Sequence, residues 1–156
     1  MTNLKKIIAE LGGLAELRKD YAKIMNEGWM PLTLEVIGTA DLPGIEPWPL
    51  LAVSHTYEQE GDLMRDPEVI FMVRPAADGS VDTLTPMSYR QDGLGICREC
   101  YWKDGEKTMV NAREAADLKS FCRDWDKNLG AQGFVKAAWR TAELRTYETI
   151  KPEKED

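Results

Sequence analysis

The sequence has little of the residues that most often carry chemistry. Its 156 residues include one histidine, His55, and three cysteines. Three cysteines are an odd number and too few for a disulfide framework in a chain of this length. We therefore expect free thiols and a reducing compartment.

Long apolar runs are also missing. A helix that spans a bilayer needs roughly 20 apolar residues, and the chain has no such segment. Residues 1–8 contain two lysines but lack the apolar core and the cleavage site of a secretory signal. We expect a cytoplasmic protein that has no membrane partner.

An excess of positive charge is missing as well, because the formal net charge is -7. This charge favours solubility and disfavours broad binding to phosphate backbones, so nucleic acid is not the expected partner. Two exceptions stay open: a local basic patch, or an acidic surface that imitates nucleic acid.

Catalytic motifs are equally scarce. The chain contains no phosphate-binding glycine loop, no dinucleotide fingerprint and no paired-histidine metalloprotease motif. Cys97 and Cys100 have the spacing of a zinc knuckle, but in a strand these positions face opposite sides of the sheet. We predict no metal and no cofactor.

What is present indicates one α+β domain over residues 1–150. Hydrophobic residues make up 43% and charged residues 30% of the chain, which is typical of a globular protein. Apolar residues three and four apart, up to Tyr21 and Ile24, predict a helix over residues 4–27, with a bend at Gly12 and Gly13. The period then changes to two, which predicts six short strands: 32–37, 50–59, 69–74, 83–89, 94–102 and 107–110.

Helical periodicity returns after the strands. Asn111 and Glu114 have the spacing of a capping box, and Gly130 is expected to end the helix that follows. A shorter helix is predicted over residues 134–144, and residues 151–156 are expected to form a flexible charged tail. The predicted fold is an antiparallel sheet of five or six strands, with the N-terminal helix and the C-terminal helices packed on it.

Residues 55–68 form the most informative segment, because they hold the single histidine and five carboxylates. We select His55, Asp62, Asp66 and Glu68 as a candidate functional cluster at a turn between two strands. One interpretation is a rigid acidic loop beside a histidine with a structural hydrogen bond. The other is a divalent cation site, although the spacing matches no calcium-binding loop.

Trp48 lies between Pro47 and Pro49 and is a candidate interface residue. A rigid loop that presents an aromatic side chain is typical of an interface anchor. The alternative is that the ring covers an edge of the sheet. Both interpretations remain open from the sequence.

The acidic segment also carries a family resemblance. The run from His55 through Gly61-Asp62-Leu63-Met64-x-Asp66-Pro67-Glu68, with the later Gln91-Asp92-x-Leu94-Gly95, resembles a family of uncharacterised small domains. The resemblance covers residues 32–102. It implies an accessory role on bacterial plasmids or other mobile elements, and it implies no established catalytic residues.

Three functions follow from these observations. The first is a non-enzymatic accessory protein from a bacterial mobile-element or phage context, which acts through protein contacts. The second is a small metal-assisted hydrolase that uses His55, Asp62, Asp66 and Glu68. The third is an acidic inhibitor that mimics nucleic acid. The sequence favours the first, because the charge is acidic and catalytic signatures are missing.

Overall fold

The computed structural model describes the backbone of residues 1–150 and the side chains of residues 1–145. The predicted flexible tail, residues 151–156, lies outside the described residues. The fold is α+β, as predicted. In chain order its elements are α1 (Thr2–Glu10), α2 (Gly13–Lys19), β1 (Ala22–Ile24), β2 (Leu32–Thr39), β3 (Pro49–Gln59), β4 (Asp62–Pro75), β5 (Val81–Gln91), a 3₁₀ turn (Asp92–Leu94), β6 (Ile96–Glu99), β7 (Tyr101–Asp104), β8 (Lys107–Val110), α3 (Ala112–Ala131) and α4 (Phe134–Ile150).

The first six strands form one sheet in sequence order, and every neighbouring pair is antiparallel. This is the predicted sheet, built as a meander. Strands β7 and β8 pair only with each other and form a separate hairpin. Each described helix is too short or too polar to cross a membrane.

The predicted strand over residues 94–102 is wrong in its extent. The chain leaves the sheet at Cys100, which is buried between β6 and β7. Its amide donates to the carbonyl of Met87, and its carbonyl accepts from the amide of Asn111. These two bonds turn the chain out of the sheet and into the hairpin.

The predicted helix over residues 4–27 is wrong after Lys19. Gly12 and Gly13 both have positive φ and divide the helix into α1 and α2, which confirms the bend. Ile24, which fits the helical spacing, instead lies in β1, while Tyr21 is 53% exposed. A strand forms here in place of the predicted helix because Ala22 and Ile24 both point to the buried face of the sheet and pair with β2.

The main core lies between the helices and one face of the sheet. Its largest fully buried side chains come from α1, α2, α3, α4 and the first four strands: Leu4, Ile7, Ile8, Leu17, Ile24, Leu32, Leu34, Leu51, Val53, Phe71, Leu129 and Phe134. A second, smaller cluster around Ala40, Met72 and Met87 lies on the opposite face. The sheet is therefore covered on both sides.

Helix α3 is fixed against α1 by a cap from outside the helix. Helix α1 has no capping side chain of its own. Asp126 of α3 accepts hydrogen bonds from the amides of Asn3, at 3.2 Å, and Leu4, at 2.7 Å. Since the carboxylate meets two amides that the helix leaves unpaired, it holds α3 in a defined position over the sheet.

The predicted start of α3 is confirmed, since the side chain of Asn111 accepts from the amide of Glu114 at 3.1 Å. Its predicted end is wrong, because α3 continues past Gly130 to Ala131. Gly130 allows the close approach of Asn3: a Cβ atom there would lie 2.5 Å from the Asn3 side-chain nitrogen.

Candidate functional site

The acidic segment is a strand for most of its length and only briefly a turn. Glu60 and Gly61 have φ angles of 51° and 84°, as in the two-residue hairpin turns that suit twisted strands. Strand β4 begins at the next residue, Asp62. The acidic residues therefore lie along an extended strand and do not gather in one loop.

A β-bulge brings His55 to the candidate site. Ser54 pairs with Glu68 and Thr56 pairs with Arg65, so His55 on β3 faces two residues of β4, Asp66 and Pro67. Bulges of this kind redirect side chains and bend the strand.

The structure brings together two of the four predicted cluster residues. His55 and Asp66 line the same cleft. Asp62 is exposed beside the hairpin turn and pairs with Gln59. Glu68 pairs with Ser54 on the opposite face of the sheet, where its Oε1 lies 3.7 Å from Nη1 of Arg65. Among the described side chains, no three His, Cys, Asp or Glu residues are grouped to hold a metal ion.

The cleft lies between the bulge, the segment that precedes β2, and α3. Its volume is about 250 Å³. Eight residues line it: Trp29, Met30, His55, Asp66, Pro67, Trp125, Asn128 and Gln132. We call it the His55 cleft. Among the described lining residues Asp66 carries the one carboxylate, and His55 is the other titratable side chain.

His55 is only 8% exposed and is held in one tautomer. Its Nδ1 lies 3.2 Å from the carbonyl oxygen of Met30. Because a carbonyl can only accept, Nδ1 carries a proton, and in the neutral ring Nε2 is then the acceptor. Burial lowers the pKa of His55 below 6.5, against the opposing effects of the Met30 and Pro31 carbonyls and the Asp66 carboxylate.

Aromatic rings pack around the imidazole. The ring centroids of Trp125 and Phe134 lie 5.6 Å and 5.5 Å from that of His55. Trp125 also contacts Phe121, at 6.1 Å between centroids. Within the described part of the chain, Nε1 of Trp125 is buried without a hydrogen-bond partner, an arrangement that costs roughly 1–3 kcal/mol.

Several lining residues were not predicted from the sequence. Trp125 lies on an apolar stripe of α3 with Leu118, Cys122 and Leu129, and Asn128 and the C-cap residue Gln132 follow it three and seven positions later. Polar residues at this helical spacing from Trp125 are the sequence signal that could have predicted polar side chains at the end of the apolar stripe. Trp29, between Gly28 and the Met30-Pro31 pair, follows no periodic pattern.

The later part of the resemblance motif has a structural role. Asp92 accepts from both the amide and Nε of Arg65, each at 2.9 Å. These hydrogen bonds hold the pKa of Asp92 below its usual value. They also connect β4 to the 3₁₀ turn. In this orientation the Arg65 guanidinium pairs with Glu68 as well as with Asp92.

Trp48, the predicted interface residue, is half-buried against the second hydrophobic cluster. The Arg74 guanidinium carbon lies 5.5 Å from the centroid of the Trp48 ring. The ring therefore covers the face of the sheet that the helices leave open, and it lies away from the His55 cleft.

A search of the curated proteins and a search of the solved structures each gave no match. A family model matches residues 2–135, from α1 to the start of α4, a longer range than the residues 32–102 over which the sequence predicts a resemblance to uncharacterised domains. This range includes every residue that lines the His55 cleft. The model describes a domain of unknown function, DUF6908, and the chain belongs to this family.

Proposed function

We propose that the protein is a non-enzymatic accessory protein that binds another protein through the surface around the His55 cleft. The observation that carries this proposal is an exposed apolar segment between β1 and β2. Met25, Trp29 and Met30 are 65%, 51% and 38% exposed. We call these three side chains the Trp29 surface.

The composition of this surface is typical of a protein interface. Tryptophan and methionine are enriched where proteins meet, and tryptophan is frequent among the residues that dominate binding energy. Isolated exposed apolar residues are normal, but here three occur within six positions, and two of them border a cleft.

The segment that carries the surface is tied to the fold. The side-chain amide of Asn26 donates to the carbonyl oxygen of Gln132 at 2.7 Å, which fixes the segment to the end of α3. The carbonyl of Met30 meets His55 at the other end of the segment. A main chain held at two points presents its side chains with a smaller entropy loss on binding.

The cleft is less well suited to catalysis. Within the part of the chain whose side chains are described, its lining contains no serine, threonine, cysteine or lysine that could act as a nucleophile. The metal-assisted alternative requires Asp62 and Glu68 beside His55, and both lie elsewhere in the sheet. Binding is therefore the function that this geometry supports best.

The charge distribution gives little support to a nucleic-acid mimic. Such a mimic needs carboxylates spaced along a face without cations between them. Several acidic side chains here lie within 4 Å of a basic one, as in the pairs Arg74–Asp82 and Lys103–Asp41.

The rest of the proposal, a cytoplasmic role on a bacterial mobile element, is supported by the sequence resemblance.

Site-specific photo-crosslinking in cells that carry the gene tests the proposal. A photoreactive phenylalanine derivative replaces Trp29, and in a control protein it replaces Trp102, which is similarly exposed on the β7–β8 hairpin. We expect one discrete protein adduct from position 29 and none of that size from position 102. Equal adducts from both positions, or none from position 29, would contradict the proposal.

A further inference from the structure

The charges of the His55 cleft are unbalanced. Asp66 contributes a carboxylate, and among the described side chains no lysine or arginine lines the cleft. The neighbouring Arg65 is paired with Asp92 and Glu68, so it does not neutralise Asp66 from the adjacent position. An unneutralised carboxylate in a partly enclosed cleft favours a positively charged ligand.

The neutral groups of the cleft are also suited to a hydrogen-bond donor. With Nδ1 of His55 donating to Met30, Nε2 is an acceptor. The side-chain amides of Asn128 and Gln132 each carry an acceptor oxygen beside an NH2 donor, so both can turn an acceptor toward a cationic ligand. A guanidinium or ammonium group brings several donors and no acceptor, so it complements this set.

Aromatic side chains complete the match. Trp29 and Trp125 both line the cleft, and tryptophan is the aromatic residue that attracts cations most strongly. A guanidinium group is planar and weakly hydrated, so it enters an aromatic-lined cleft more readily than an ammonium group.

A second cleft, of about 220 Å³, lies between β6 and α3 and is lined by Arg98, Glu114 and Asp117 among others. There the Arg98 Nη1 lies 3.8 Å from Glu114 Oε1, so the cleft contains its own cation. Two carboxylates lie beside that cation, whereas Asp66 of the His55 cleft has no lysine or arginine among the described lining residues.

We infer that the His55 cleft receives an arginine side chain from the partner protein, with Asp66 as the counter-charge. This inference rests on the proposed function and names the chemistry of the partner. The Trp29 surface would contact the partner around the bound side chain.

Titration of the ¹⁵N-labelled protein with blocked tripeptides, followed by NMR, tests the inference. The probes are Ala-Arg-Ala and Ala-citrulline-Ala, which differ only in the charged group. The indole N–H signals of the five tryptophans serve as reporters. We expect the arginine peptide to shift the Trp29 and Trp125 signals, with those of Trp48, Trp102 and Trp139 unchanged.

Two charge-matched variants locate the counter-charge. Asp66→Asn should weaken binding of the arginine peptide by roughly tenfold, since an ionic hydrogen bond is lost. Asp62→Asn removes the same charge at the exposed hairpin turn and should leave the affinity unchanged. The backbone spectra of both variants establish that each is folded.

The outcomes separate the two proposals. Equal binding of the citrulline peptide, or equal affinity of the two variants, would overturn the inference. If the arginine peptide does not bind while crosslinking at position 29 succeeds, the inference falls and the proposed function stands. If the peptide binds but no crosslinked protein is found, the proposed function falls, and with it the assignment of the arginine to a partner.

Discussion

At the scale of single residues, His55 shows how a buried titratable group is kept neutral. It is the only histidine, so its protonation can be followed without interference from another imidazole. Burial lowers its pKa below the unfolded value of about 6.5. In the pH range between the folded and unfolded pKa values, the unfolded chain binds more protons than the folded chain.

Acidification through this range should therefore reduce stability. We expect the free energy of unfolding to fall as the pH decreases below 6.5, with a slope of at most about 1.4 kcal/mol per pH unit from this group. Urea unfolding between pH 7.5 and 5.0 measures the slope, and His55→Gln provides the control, in which it should be reduced. An imidazole NMR titration with a midpoint at or above 6.5 would contradict the expectation.

The sequence predicted the environment of His55 better than its partners. Alternation over the predicted strand 50–59 puts His55 on the same face as Leu51 and Val53, and all three residues are buried. The choice between Asp62, Asp66 and Glu68 could not be made, because it depends on the bulge. A bulge is set by the pairing of two strands, and nothing in the residues 55–68 alone determines that register.

At the scale of secondary-structure elements, the cap on α1 is a contact between distant parts of the chain. Asp126 meets the amide of Leu4 across 122 positions of sequence. It is buried, and its charge is compensated by the amides at the start of α1. Its removal would leave the buried amide of Leu4 and the partly buried amide of Asn3 without this acceptor.

We expect Asp126→Ala to lower the free energy of unfolding by about 2–3 kcal/mol, because a cap and charge-assisted hydrogen bonds are lost together. Asp124→Ala, an exposed position on the same helix, should change it by less than about 0.5 kcal/mol. Urea denaturation followed by circular dichroism measures both. Similar losses in the two variants would show that helix charge, and not the cap, is responsible.

The predictions for elements succeeded where the signals are local. Asn111 and Glu114 are three residues apart, so the start of α3 could be identified from the sequence alone. The boundary after α2 could not, since Ile24 satisfies a helical spacing from Tyr21 and a strand spacing from Ala22. Pairing with β2 determines that the strand forms and not the helix, and this pairing cannot be predicted from a short stretch of sequence.

At the scale of the whole molecule, the two faces of the sheet are covered in different ways. The helices cover one face and form the main core. The loop around Trp48 covers part of the other face, and the β7–β8 hairpin is attached to that loop. Thr108 donates to the carbonyl oxygen of Pro43 at 2.6 Å, and Lys103 Nζ lies 3.7 Å from an Asp41 carboxylate oxygen.

In this arrangement Trp48 and Trp29, which both lie outside the helices and strands, have different roles. Trp48→Ala should lower the free energy of unfolding by about 1–3 kcal/mol, less than for a fully buried ring, because its side chain is only half-buried against the second cluster. Trp29→Ala should change it by less than about 0.5 kcal/mol, since Trp29 is 51% exposed and, unlike Trp48, packs against neither of the two hydrophobic clusters. Urea unfolding of the two variants measures the difference.

Binding of the partner protein should depend on Trp29 and not on Trp48. Trp29→Ala should abolish the crosslinked adduct formed from a photoreactive group at Met30, while Trp48→Ala should leave it intact at a temperature where that variant is folded. A loss of stability from Trp29→Ala as large as that from Trp48→Ala would mean that the Trp29 surface belongs to the core. A large loss of stability from Trp48→Ala alone, together with loss of the adduct from Trp29→Ala alone, would show that Trp48 packs against the fold and that Trp29 belongs to the surface that contacts a partner.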